Sequence, residues 1–332
     1  MIPPLGRRVG TAGLLGGLAL LLASIFVAAL MSGSVPISPA QVLRALTGGG
    51  DALTRTLVVD LRFERALTAV ATGGLLAMAG ALMQVLLRNP LADPYILGVS
   101  GGASVGALGT MLLGLGSVWL APAAFAGALL STLLVFALAH GRGGWTPTRL
   151  LLTGVVVAAG WGAVISLLLA LGSDSSLHSM LFWLMGDLAY RQSGPWGLVA
   201  LGLGLAATLP FARHLNVLAR GETLAEALGV AVRPANIAIY VAASLFTAVA
   251  VTEAGGIGFV GLVVPHMLRL VSGSDHRVLL PGSVLLGGAL VLAADTLGRT
   301  VMAPRQLPVG VLMAFIGVPL FLYLINRARG PL

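Results

Sequence analysis

Residues 213–233 read RHLNVLARGETLAEALGVAVR. The stretch sets Arg213, Arg220 and Arg233 beside Glu222 and Glu226 in a chain that is only 9% charged, and long apolar runs flank it on both sides. Its middle predicts a short capped helix. Thr223 and Glu226 have the T-x-x-E spacing of a capping box, in which each side chain satisfies an orphan amide of the first turn. Gly229 supplies the left-handed residue that ends such a helix about a turn later. Leu224 and Leu228 lie four apart and share one face. A helix this short is marginal alone in water, so the apolar face makes sense if it is pressed into another protein. Taken alone, the stretch also reads as an ordinary membrane-surface loop, and its surroundings have to decide.

Those surroundings are a membrane protein. The 332 residues are 58% hydrophobic, and the mean hydropathy is +1.00. Soluble domains carry about 25% charged residues. Many of the 46 glycines fall inside apolar runs, which suits helices packed closely in lipid. All 19 basic residues are arginine. Without lysine there is no phosphate-loop lysine, so any nucleotide hydrolysis behind the function belongs to another subunit. The absence of cysteine excludes disulfides, thiolate metal sites and iron–sulfur ligation. The net charge of +8 is scattered through inter-helix loops and does not point to nucleic acid.

The apolar runs predict ten spans. The first, about Thr11–Met31, follows a short basic start, Met1–Gly10. It has about twenty residues, enough to cross a bilayer. A signal peptide has a shorter core, roughly 7–15 residues, so the run is read as a retained helix, with a signal anchor as the alternative. A polar segment, Ser32–Arg65, leads into a span at about Ala66–Leu87 with a small-residue stripe of Gly73, Ala77 and Ala81. Pro90 and Pro94 bracket a break after Arg88. The next span, Tyr95–Leu113, carries Gly98, Gly102 and Gly106, a packing stripe. Spans follow at Val118–Ala139, Leu150–Leu171 and Pro195–Phe211, with a basic loop at His140–Arg149 and a short interfacial helix around FWLMG, 182–186. Beyond Arg233 come Ala235–Val251, Ile257–Val271, Leu279–Leu297 and Pro308–Ile325; the eighth span is short and contains Pro265 and His266.

Placing both termini in the cytoplasm puts twelve arginines inside and seven outside, as the positive-inside rule prefers. Residues 213–233 are then cytoplasmic, and Arg62, Arg65 and Arg299 cluster outside. Few ionisable groups fall within spans. Glu253 and Asp295 sit near exterior ends and Asp187 lies in an exterior loop, which argues against a carboxylate at mid-membrane for ion coupling. The five histidines show no paired ligand spacing, so no metal site is expected. Tyr190, Met180 and Met185 are open to contact with a large apolar ligand, although core packing explains each alone.

The run from Arg62 to Leu108, RFERALTAVATGGLLAMAGALMQVLLRNPLADPYILGVSGGASVGAL, resembles the signature of ABC-importer permeases of the FecCD type, which serve vitamin B12, ferric siderophores and haem. GFVGLVVPHMLRLVSGSDHRVLLPG, ADTLGRT and LPVGVLMAFIGVPLFLYL, in that order, are similar to the C-terminal half of the same family. The resemblance implies an all-α, polytopic, ten-helix subunit forming a single transmembrane domain over residues 1–332. It implies a homodimer in the inner membrane with the path at the dimer interface. Two copies of a cytoplasmic ATPase would bind below, carrying ATP and Mg, and a periplasmic binding protein would dock above. This chain would bind no cofactor of its own.

Within residues 213–233, Gly221, Glu222, Thr223, Ala225, Glu226, Leu228 and Gly229 match the helix that couples to the ATPase. Arg62 and Arg65, and by a third match Arg299, correspond to family docking residues for glutamates on the binding protein. Asn89, Pro90 and Leu91, with Thr146 and Pro147, resemble the cytoplasmic gate. Relatives often read P-x-E-L-P where this chain reads Pro304-Arg305-Gln306-Leu307-Pro308, so its mouth is more positive. That suits an anionic ligand such as haem, and the C-terminal motif reads nearest the haem branch; a ferric siderophore and cobalamin are the alternatives. A secondary transporter working alone is the competing class, and a membrane-embedded enzyme lacks any nucleophile–base set.

Overall fold

The computed structural model describes residues 10–140, 146–188 and 195–327. Expectations for both extreme termini, for most of the basic loop after His140 and for Tyr190 fall outside the described residues. Regular structure among the described residues is entirely helical. In chain order the helices are α1 (Thr11–Met31), α2 (Pro39–Leu46), α3 (Ala52–Arg55), α4 (Glu64–Leu86), α5 (Val99–Leu112), α6 (Leu120–Ala139), α7 (Pro147–Leu171) and α8 (Asp174–Leu184). They continue with α9 (Trp196–Thr208), α10 (Ala212–Leu218), α11 (Glu222–Ala227), α12 (Val232–Ala254), α13 (Val260–Ser272), α14 (His276–Thr300) and α15 (Val309–Arg327). Seven stretches are long and apolar enough to cross a membrane, and three shorter apolar helices, α5, α13 and the start of α15, occupy the other expected places.

The segment before α4 corrects the sequence reading. Ser32–Arg65 is expected as a polar connection, but α3, eight residues of π-helical turns over Thr56–Phe63 and α4 form one helical stretch of 35 residues, Ala52–Leu86. Leu57, Val58 and Val59 provide apolar surface there; Val58 is buried in a small satellite core with Leu30, Ile37, Val42 and Ala45. The third span also starts differently, with a 3₁₀ turn, Pro94–Leu97, and a left-handed Gly98 ahead of α5.

The fold is built around α4, which is buried on nearly every side. A helix that is apolar all round belongs in a core rather than at a surface. Its small residues let neighbouring backbones approach. A methyl on Gly73 would overlap the carbonyl of Gly287 in α14, and one on Gly80 would overlap Gly261 in α13. Overpacking of this kind costs about 1–3 kcal/mol when neighbours can shift, and backbone cannot shift cheaply. The expected stripe on α5 has the same cause, since Gly102 and Gly106 meet the backbone of α6. By contrast, only 11% of the apolar window of α1 or α7 is buried, and these helices lie at the periphery. The interfacial helix expected near FWLMG is α8, where Met180 and Trp183 are core residues.

Candidate functional site

The polar residues gather at the two ends of α4. At the end where α4 begins, a single carboxylate organises two arginines, and a third stands beside them. Asp295, one turn before Arg299 on α14, is 1% exposed. Arg65 Nε donates to its Oδ1 at 2.9 Å, Arg65 Nη2 lies 2.8 Å from the same oxygen, and Arg299 Nε donates to Oδ2 at 3.0 Å. Arg65 also donates to Gln306 Oε1 at 3.1 Å and lies 3.7 Å from Asp187. Arg62 is 6% exposed. It donates to the Leu30 carbonyl at 2.8 Å and to the Val35 carbonyl, and so closes the C-terminal end of α1. All three guanidiniums line a cavity of about 460 Å³ together with Ser34, Leu188, Pro304 and Gln306. The described lining residues include three guanidiniums and no carboxylate, with Asp295 and Asp187 paired behind them, so the cavity wall is positive.

At the other end, α4 stops at Leu86 and Arg88 adopts the left-handed region, φ 48. The Asn89 carboxamide oxygen accepts from Leu91 N at 2.9 Å, which fixes the Asn89-Pro90-Leu91 turn and leaves Leu91 exposed. Asp93 caps the turn that follows by accepting from Tyr95 N at 2.8 Å, and burial pushes its carboxyl up to about 6. Thr146 and Pro147 start α7 as N-cap and first residue, with the Thr146 hydroxyl accepting from Arg149 N at 3.3 Å.

The helix expected within residues 213–233 is α11, and here the capping expectation fails. The helix begins at Glu222, one residue before Thr223, with Gly221 as N-cap and no side-chain cap. Gly221 has φ 120 and ψ 151, a backbone that only glycine adopts without strain. That choice shifts the start and takes Thr223 and Glu226 out of capping register. Glu222 instead places an anion in the first turn, which the helix dipole favours. The C-terminus is as expected: Gly229 has φ 79, Gly229 N donates to Glu226 O and Val230 N to Ala225 O, both at 2.9 Å, a Schellman motif. Ala225 is fully buried, whereas Leu224 is 43% and Leu228 62% exposed. The two leucines of the apolar face therefore remain in large part open to solvent.

The sequence reading treats this helix and the Asn89 turn as separate. The structure joins them: Arg88 Nη2 lies 3.5 Å from Glu222 Oε1, and Asn236 Nδ2 donates to the same oxygen at 3.3 Å. Asp295 was available to sequence reasoning through its i,i+4 spacing to Arg299; Asn216, which joins α10 to the start of α14, carried no local signal.

The FecCD transport family model matches residues 20–327. The cobalamin import system permease BtuC of Halobacterium salinarum is 42% identical, covering 89% of this chain and 81% of that protein. The hemin transport system permease HmuU of Yersinia pestis is 40% identical, covering 97% and 98%. A solved chain described as an inward-facing conformation of an ABC transporter assigned to the metal-chelate type is 30% identical and superposes with a TM-score of 0.82, over 94% of this chain and 98% of that one. A multi-pass helical fold with these relatives is the permease of an ABC importer, a class that works with ATPase subunits and a substrate-binding protein. The chain belongs to the FecCD transport family.

Proposed function

We propose that this permease carries an iron chelate, haem in the first place, from periplasm to cytoplasm by alternating access at the interface of a homodimer in the inner membrane. The single domain, residues 1–332, crosses ten times with both termini cytoplasmic. Two ATPase subunits bind below and hold ATP and Mg, and the permease itself binds no cofactor. Gly221, Glu222, Thr223, Ala225, Glu226, Leu228 and Gly229 form the coupling element. Asn89, Pro90 and Leu91, with Thr146 and Pro147, form the gate, and Arg62, Arg65 and Arg299 form the mouth that receives the binding protein. The observation that carries this reading is the exposed Leu224–Leu228 face of a helix whose other side is tied to the expected gate turn through Arg88 and Glu222. An apolar face left open on so short a helix supports a partner cleft as its destination.

For the ligand, the positive excess at the mouth and the full-length likeness to a hemin permease support haem. The likeness at 42% identity to a cobalamin permease favours cobalamin as the second reading. The test is reconstitution with the ATPase and binding protein, measuring uptake of haem, a ferric siderophore and cobalamin in parallel. ATP-dependent uptake of haem above the other two is the expected result. Preference for cobalamin would replace the ligand, and uptake that survives ATP depletion would replace the mechanism.

A further inference from the structure

The SGSDHR run, residues 272–277, has no role in the reading above, yet it makes several polar contacts with α10, the helix that precedes α11. Asp275 caps α14 by accepting from Arg277 N at 3.0 Å, and its Oδ2 pairs with Arg277 Nη2 at 2.7 Å. The Arg277 guanidinium first, then the Asn216 amide, hold this carboxyl well below the usual carboxylate range. Asn216 lies on α10, six residues ahead of Glu222, and its two carboxamide atoms face different groups. Nδ2 donates to Asp275 Oδ1 at 2.9 Å. Oδ1 accepts from the His276 backbone N at 2.8 Å and lies 2.6 Å from His276 Nδ1. Because Nδ1 faces an acceptor, it carries the ring proton. His276 is buried, so water does not compete for these bonds. Beyond this contact, α14 meets α4 backbone to backbone at Gly287 and Gly73. Past the end of α4, Arg88 returns to Glu222. The path from α10 through α14 and α4 back to α11 is thus a closed circuit, in which Asn216 joins α10 to the cap of α14 through both polar atoms of a single side chain.

We infer that Asn216 is a positioning residue, a latch that fastens the segment carrying α11 to the N-terminus of α14. A push on α11 then reaches the α14–α4 pair instead of being absorbed by bending at the turn 219–221. The inference rests on the coupling reading of α11 given above.

Chemistry supplies a specific test. Asn216→Asp replaces the donor with a carboxylate oxygen facing Asp275 Oδ1, so two anions meet where a hydrogen bond stood. Asp275→Asn keeps an oxygen that can accept from Asn216 and from Arg277 N, so it is mild. Combining the two restores a donor–acceptor pair across the contact, now with the side chain at position 275 donating, at the loss of one cap bond. The chain has no cysteine, so a spin label at Leu224→Cys reports the mobility of α11 in nanodiscs of the permease alone. The full complex reports ligand taken up per ATP hydrolysed, using whichever of haem, a ferric siderophore or cobalamin the parent takes up.

Asn216→Asp should mobilise the label and lower uptake per ATP about tenfold, a coupling loss of ordinary allosteric size. Asp275→Asn should stay near the parent, and the double variant should recover most of both signals. An unchanged label spectrum in Asn216→Asp, or a double variant no better than the single one, overturns the latch. Mobilisation and rescue of the label with constant uptake per ATP overturns transmission through it. Leu228→Asp in the same assay separates these failures from failure of the coupling reading, since it alters the open face of α11 and leaves the latch intact.

Discussion

The two ends of α4 satisfy their polar groups by opposite means. At the arginine end, Asp295 is fully enclosed and takes up Arg65 and Arg299, while Arg62 spends its donors on carbonyls of the α1 end. At the other end, the charged contact that ties α11 to the Asn89 turn is longer and more exposed: Arg88 and Glu222 stand 3.5 Å apart with roughly two-fifths of each side chain in solvent. A surface pair of that kind contributes about 0–1 kcal/mol. One end is held together from within; at the other, α11 is loosely tied and leaves Leu224 and Leu228 open. The proposed coupling role of α11 fits the less stable end of a fold, and the proposed docking role of the arginines fits a rigid charged rim.

The sharpest way to break the comparison is at Asp295. Its loss leaves two guanidiniums facing each other in a nearly enclosed site. Removing one partner of a buried pair costs about 3–5 kcal/mol; with slight exposure of both arginines, the lower figure applies. Asp295→Asn should therefore lower thermal stability in detergent strongly, by about 3 kcal/mol. A melting midpoint equal to the parent's would show that the arginine end is not held by this carboxylate.

Much of this contrast was legible beforehand, and the reasons for the remainder are local. Apolar runs located the helices because a bilayer enforces length and continuity. The Gly102–Gly106 stripe reads directly as close packing. Ser32–Arg65 misled because polar residues at a helix end and in a loop look alike, and only the burial of Val58 shows which applies. The T-x-x-E pattern misled because Gly221 can take a backbone that starts the helix one residue early. Contacts between distant elements, such as Arg88 to Glu222 or Asn216 to Asp275, leave no periodic trace. The consequence is practical. The sequence suggests that Arg62→Glu with Arg65→Glu would disturb docking alone. In the structure, the glutamate introduced at position 65 would face Asp295 across the shortest contact Arg65 makes, so assembly would suffer too.

Leu228→Asp tests the other end and should have the second-largest effect. Leu228 is mostly exposed, so the change leaves melting in detergent within about 0.5 kcal/mol of the parent. In the assembled importer the aspartate would be buried unpaired, and uptake should fall at least about tenfold, a loss of about 1.4 kcal/mol or more. Normal uptake together with normal ATPase association would remove the partner from the α11 face.

Gln306→Glu sharpens the arginine end without dismantling it. Gln306 is exposed and already 3.1 Å from Arg65, so a carboxylate there keeps its partner. The mouth loses one unit of positive excess. Association with an acidic binding-protein surface should slow a few-fold at low salt, and the difference should shrink as the Debye length falls to about 8 Å near physiological ionic strength. Equal association rates at low salt would mean that the charge of this cavity does not steer docking.

The smallest effect belongs to Asp51, the N-cap of α3. Its carboxylate accepts from Thr54 N at 3.0 Å, and the Thr54 backbone and then side-chain hydrogen bonds lower its pKa. A depressed folded pKa makes the carboxylate stabilising above the unfolded value of about 3.9, and that contribution is lost as pH falls through the folded value. Serine caps a helix comparably but carries no charge. A spin label at Leu53→Cys should therefore become more mobile on acidification below about pH 4 in an Asp51 background, and much less so with Asp51→Ser. The site is open to water, so the change should stay confined to α3 and leave the Asp295 cluster undisturbed. If acid loosened both together, the arginine end would be one cooperative unit out to α3, and its contrast with the loosely tied α11 end would be wider than the ion pairs alone imply.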